Sequence, residues 1–82
     1  MPEHDRIWRD SVKEAITRVI RRAGTPIFTR AELIKQELNT IIKETASQGK
    51  TPEDTLSRVL QELRDAGEID FLQKRGTYQA LF

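Results

Sequence analysis

Apolar residues recur on one helical face near the start of the chain. Trp8, Val12, Ala15, Ile16, Val19, Ile20 and Ala23 follow one another at spacings of 4, 3, 1, 3, 1 and 3, a period near 3.6 residues. The spacing predicts a helix over Arg6–Ala23. Asp5 is placed as its N-cap, and Gly24 to end it in a left-handed turn. Pro26 forbids continuation. Ile27–Phe28 is long enough only for a single-bridge strand. Thr29-Arg30-Ala31-Glu32 has the form of a capping box, in which hydroxyl and carboxylate satisfy each other's backbone amides. It opens a second helix anchored by Leu33, Ile34, Leu38, Ile41 and Ile42, fading near Thr45. Ala46–Lys50 reads as a loop.

A third helix has the clearest start. Thr51 is an N-cap, Pro52 suits the first helical position, and Glu53 and Asp54 favour the positive end of the helix dipole. Leu56, Val59, Leu60 and Leu63 form its buried stripe. Gly67, after Ala66, stops it. The period then changes from 3.6 to 2. Glu68–Gln73 reads as a strand, Lys74-Arg75-Gly76 as a turn, and Thr77–Phe82 as a second strand, with Phe71 and Tyr78 as core residues of the hairpin. Two strands alone are marginal in water, so Phe28 and its neighbour are expected to supply a third. The order of elements predicts a mainly α (α+β) fold, a winged helix-turn-helix. It has three helices and a C-terminal β-hairpin wing, with a recognition helix at 52–66 and the wing at 68–82.

Length and composition narrow the function. At 82 residues one domain is expected. No run approaches the ~20 apolar residues of a membrane span, and no signal-peptide pattern opens the chain. A cytoplasmic protein without membrane association is therefore expected. The chain has no Cys and one His, which leaves no disulfide, thiolate metal site or Cys nucleophile. His4 falls in residues 1–4, expected to be disordered. Trp8 reads as a core residue, with stacking or dimer anchoring as alternatives. Catalysis lacks its parts. The only close acidic pair is Glu53–Asp54, no Gly-rich loop follows a strand, and no metal-ligand spacing occurs. No enzyme activity, metal or cofactor is expected.

Charge adds an objection. The totals are 14 Lys and Arg against 13 Asp and Glu, far from a strongly basic nucleic-acid binder. The balance is uneven, however. Residues 1–30 hold seven basic and four acidic residues, 31–67 five and seven, and 68–82 two and two. The surplus lies on the first helix, where Arg18, Arg21 and Arg22 would flank a DNA backbone or dock an acidic protein or a second subunit.

With Leu56, Val59, Leu60 and Leu63 turned inward, the outer face of the third helix carries Asp54, Ser57, Arg58, Gln61 and Asp65. In a helix-turn-helix this face enters the major groove. Arg58 then suits guanine, Gln61 adenine, and Ser57 a phosphate or base edge. Thr55 lies at the flank. Lys74 and Arg75 at the wing tip suit phosphates or the minor groove, and Arg30 and Lys50 are further phosphate contacts. The same residues also read as ordinary solvated surface, and Glu53 and Asp54 oppose phosphates.

Phe28-Thr29-Arg30-Ala31-Glu32-Leu33, the run Arg58–Leu72 and Gly76-Thr77-Tyr78 resemble the winged-helix domain at the C-terminal end of Dam-replacing-type, methyl-directed restriction endonucleases. The resemblance covers roughly residues 26–80. It implies a module that binds double-stranded DNA, including adenine-methylated sites, in restriction-modification or DNA processing, while a separate domain cuts. A homodimer or a partner enzyme domain fits the same picture. The alternative is a winged helix used for protein interaction or oligomerisation without direct DNA binding, which the acidic third helix favours.

Overall fold

A computed structural model describes residues 2–45 and 51–82, with side chains from Ile7 onward. Helix α1 spans Pro2–Ala23, strand β1 Ile27–Thr29, helix α2 Arg30–Thr45, helix α3 Pro52–Asp65, strand β2 Ile69–Phe71 and strand β3 Thr77–Ala80. The sheet is antiparallel in the order β1-β3-β2. Helix, strand, two helices and a hairpin around one sheet make a winged helix-turn-helix.

Two starts differ from expectation. Helix α1 begins at Pro2 rather than Arg6. Asp5 therefore lies inside the helix and is not its N-cap, and Pro2–His4, expected to be disordered, belong to the first turn. Thr51 occupies the N-cap position of α3, but its side chain makes no capping bond. The start instead relies on Pro52 and on the Thr51 carbonyl, which accepts from the amides of Asp54 and Thr55 at 3.0 and 3.2 Å. The capping box of α2 forms as expected. The Thr29 hydroxyl accepts from the Glu32 amide at 3.0 Å, and the Glu32 carboxylate accepts from the Thr29 amide at 2.9 Å.

The end of α3 explains the switch to strand. Gly67 adopts φ +77°. Its amide donates to the Arg64 carbonyl at 2.9 Å while the Glu68 amide donates to that of Leu63 at 2.9 Å. This paired closure needs a left-handed residue, which glycine adopts without steric cost. The strands are shorter than the alternating pattern suggests, since β2 stops at Phe71 and β3 at Ala80. Strand β1 gains a residue and pairs Ile27, Phe28 and Thr29 with Gln79, Tyr78 and Thr77.

One core joins all six elements. Trp8, Val12, Ala15, Ile16 and Val19 of α1 meet Leu33, Leu38 and Ile41 of α2, the whole α3 stripe, and Phe28, Ile69, Tyr78 and Ala80 of the sheet. Trp8 is fully buried, so neither stacking nor dimer anchoring is open to it. Ile20, Ile34 and Ile42 lie at the rim, and Ala23 is exposed. The sheet carries an aromatic row. Phe28 stacks on Tyr78 at 5.4 Å between centroids, and Phe71 meets Tyr78 edge-on at 5.2 Å. Phe71 is not a core residue as expected. It sits on an edge strand, 43% exposed, with the Arg64 guanidinium 4.4 Å from its ring centre.

Candidate nucleic-acid interface

The outer face of α3 forms because its inner face is fully occupied. Leu56, Val59, Leu60 and Leu63 are buried, and one helical turn places Arg58, Gln61 and Asp65 in solvent. Asp54 is exposed and Ser57 half-buried, as is Thr55. The Thr55 hydroxyl reaches back to the Thr51 carbonyl at 3.5 Å.

The face is already paired within the helix. Arg58 Nη1 lies 2.9 Å from Glu62 Oε2, and Gln61 Nε2 donates to Asp65 Oδ1 at 3.2 Å. Both contacts run from i to i+4, so both donors lean away from the acidic first turn. Such exposed pairs contribute about 0.2–0.5 kcal/mol each.

Arg30 and Ser57 come together in a way their positions in the chain do not suggest. Arg30 Nε donates to Ser57 Oγ at 2.8 Å, and its Nη2 donates to the Glu53 carbonyl at 3.3 Å. The Arg30 backbone amide donates to the Gly76 carbonyl at 2.9 Å. The wing turn is thereby fastened at the start of α2, and α2 to the amino-terminal half of α3. Gly76 adopts φ +74°, and the Thr77 amide closes the turn onto the Lys74 carbonyl at 3.1 Å. Lys74 and Arg75 stand exposed on this turn, and their side chains have no partner among the described residues. Lys50 lies outside the described residues.

The basic first helix is not the free cationic surface its charge suggests. Glu37 of α2 is buried, 2% exposed, and two arginines of α1 close on it. Arg18 Nε donates to Oε1 at 2.9 Å, with Nη2 2.7 Å from the same oxygen but not aligned to donate to it. Arg22 Nη1 lies 2.9 Å from Oε2 and also donates to Gln36 Oε1 at 2.8 Å. Burial by itself raises the Glu37 carboxyl, but the hydrogen bonds from Arg18 and Arg22 outweigh it and hold the group below its usual range. Arg18 is raised in turn, chiefly by its bond to Glu37. Lys13 pairs with Glu68, and the Ser11 hydroxyl donates to Glu44. Of the α1 trio expected to face DNA or an acidic partner, only Arg21 is left exposed and without a partner among the described residues.

Glu37 is the residue sequence reading missed. The signal was its spacing, four residues from both Leu33 and Ile41 on the buried side of α2. Two surface hollows of about 260 Å³ each lie at Thr51–Asp54 and at the wing beside Phe71, Arg75 and Tyr78. Among the described residues no group of three His, Cys, Asp or Glu converges as metal ligands. No helix among them is long and apolar enough to cross a membrane. No family model, curated protein or solved structure matches the chain.

Proposed function

We propose that this winged helix binds double-stranded DNA, with the exposed face of α3 in the major groove and the wing turn on the flanking backbone. One observation carries the reading. Lys74 and Arg75 stand exposed and unpartnered among the described residues, on a turn that Arg30 fastens beside the amino-terminal half of α3. Two placed cations and a polar helix face thus share one side of the fold.

Magnitudes favour recruitment of the α3 donors. A good bidentate base contact is worth about 1–3 kcal/mol of discrimination. The i to i+4 pairs that now hold Arg58 and Gln61 contribute about 0.2–0.5 kcal/mol. Exchanging Asp65 for an adenine edge is therefore favourable on balance for Gln61, and the Glu62 pair is by itself too weak to keep Arg58 from a guanine edge. Glu53, Asp54, Glu62 and Asp65 against Arg58 and Arg64 leave α3 net acidic, so the field of the helix does not attract DNA. Binding rests on a few placed side chains and is modest in strength. Recognition of adenine methylation, and a place in restriction-modification beside a partner enzyme domain, rest on the resemblance of residues 26–80.

Fluorescence anisotropy with adenine-methylated and unmethylated duplexes, over a salt series beginning near 50 mM, tests the reading. Replacing Lys74 and Arg75 by Ala should lower the slope of log K against log salt by about 1.8, or 0.9 per phosphate contact. Arg58→Ala should weaken binding to the preferred sequence by about 5- to 150-fold. No binding at the lowest salt, or undiminished binding by the Arg58→Ala/Lys74→Ala/Arg75→Ala variant, refutes DNA recognition. Equal affinity for both duplexes removes only the methylation clause. The four carboxylates of α3 favour a second reading, a module that docks a protein or a second copy. Sedimentation showing self-association in a protein that ignores DNA would support it.

A further inference from the structure

We infer that Arg30 is a positioning residue that sets the wing against α3, rather than a phosphate contact. The inference rests on the DNA-binding reading for its consequence, but its geometry stands independently.

The first amides of a helix have no partner inside it and must be satisfied from outside. Arg30 is the first residue of α2, and its amide finds the carbonyl of Gly76 in the wing turn at 2.9 Å. Its side chain leaves in another direction. Nε donates to Ser57 Oγ at 2.8 Å and Nη2 to the Glu53 carbonyl at 3.3 Å. A carbonyl has two lone pairs, so Glu53 accepts this bond without giving up its place in the helix ladder. One half-buried residue thereby touches the wing, α2 and α3. The planar guanidinium suits this role because its donors are fixed in one fork. An ammonium in its place has no such geometry.

The consequence is preorganisation. Lys74 and Arg75 flank the turn whose carbonyl Arg30 holds, and Arg58 follows the serine it holds. With the bracket intact, wing and reading face meet the duplex at a fixed spacing. Without it, that spacing must be ordered during binding, which costs about as much as immobilising one long side chain, roughly 2- to 13-fold in affinity.

The test compares Arg30→Ala, Ser57→Ala, Arg30→Lys and the Arg30→Ala/Ser57→Ala double variant in the full chain, using the same duplexes and salt series. The bracket requires that both Ala variants and the Lys variant weaken binding by that factor with an unchanged salt slope. It also requires that the double variant is no weaker than the worse single one. A slope reduced by about 0.9 in Arg30→Ala and restored in Arg30→Lys overturns the inference in favour of a phosphate contact. Independent effects of Arg30 and Ser57 overturn it as well. Hydrogen exchange on the DNA-free protein supplies a separate readout. Arg30→Ala keeps the backbone amide that bonds Gly76 and loses only the side-chain bonds to α3. By freeing the start of α2 and the wing turn attached to it from α3, it should speed exchange at Thr77 and at residue 30 while core amides such as Val59 stay protected. Unchanged exchange at both refutes the bracket even if DNA binding fails, and a wild-type protein that ignores DNA refutes the functional reading alone.

Discussion

Removing the Arg18 guanidinium should destabilise the fold more than removing the buried carboxylate it serves. Glu37 is 2% exposed, whereas Arg18 is 34% and Arg22 55% exposed, and this asymmetry orders the costs. Arg18→Ala removes a 2.9 Å hydrogen bond and an ion pair. It leaves the carboxylate in the interior with Arg22 alone. Stranding one member of a buried pair costs about 3–5 kcal/mol. Arg22 still lies 2.9 Å from Oε2, so the expected cost is lower, about 2–3 kcal/mol. At about 6 °C per kcal/mol for a domain of this size, the Tm should fall by about 12–18 °C. Glu37→Leu fills the site with apolar volume and leaves two partly exposed arginines, of which Arg18 keeps a buried Nη2. Its expected cost is about 1–2 kcal/mol, below that of stranding the fully buried carboxylate, and Arg18→Ala/Glu37→Leu should recover most of the loss.

The pH dependence gives a second handle on the same pair. Arg18 and Arg22 hold the Glu37 carboxyl below its ordinary value of 4.5 against the opposing effect of burial. A carboxyl lowered in the folded state adds stability above its unfolded pKa and loses it as the pH falls through the folded one. The Arg18→Ala penalty should be complete at pH 7 and shrink progressively below 4.5. Urea denaturation followed by the fluorescence of Trp8 measures both effects, with Arg21→Ala as the control that changes little. The reasoning fails if Glu37→Leu costs as much as Arg18→Ala, or if the Arg18→Ala penalty persists undiminished into acid.

Two further outcomes follow from local geometry. Thr29→Val removes the hydroxyl that caps the Glu32 amide and should cost about 0.5–2 kcal/mol in denaturant unfolding; adding Glu32→Ala should cost less than the sum, because each residue caps the other. The Trp8 indole N–H is buried without a hydrogen-bond partner, so Trp8→Phe trades a small cavity against an unsatisfied donor. It should stay within about 1 kcal/mol of wild type by calorimetry, whereas a loss above about 3 kcal/mol would mean that the N–H is satisfied.

The parts of the fold legible in the sequence are those set by neighbours in the chain. The Thr29–Glu32 box, the α3 stripe, and the turns at Gly67 and Gly76 each depend on residues within seven positions of one another. Thr51 shows the limit. A residue type suited to a cap does not fix the rotamer that makes the bond. What escaped reading depends on packing between elements. Glu37 and Arg18 are 19 residues apart, Arg30 and Ser57 27, and Lys13 and Glu68 55. No periodicity in one helix reveals which charge of another will meet it. Arg30 is the instructive case. Its place at the start of α2 is legible in the capping box, whereas the acceptors that engage its guanidinium belong to α3.

Charge is where this distinction bears on function. The surplus on α1 is largely neutralised by pairing with Glu37 and Glu68, so among the described residues the net charge of α1 does not stand free. If Lys74 and Arg75 supply the phosphate contacts, the salt slope is about −1.8, and affinity falls only about 12-fold between 50 and 200 mM salt. A protein with six to ten such contacts loses about 10³–10⁵ over that interval. A loss of several hundredfold would therefore show that other cations touch DNA. Arg58, Arg30 or Lys50 could supply those contacts in the same pose. If their Ala variants leave the slope unchanged, the exposed Arg9 and Arg21 of α1, or Lys35 and Lys43 of α2, would have to face the duplex, which requires a docking pose in which the wing no longer leads.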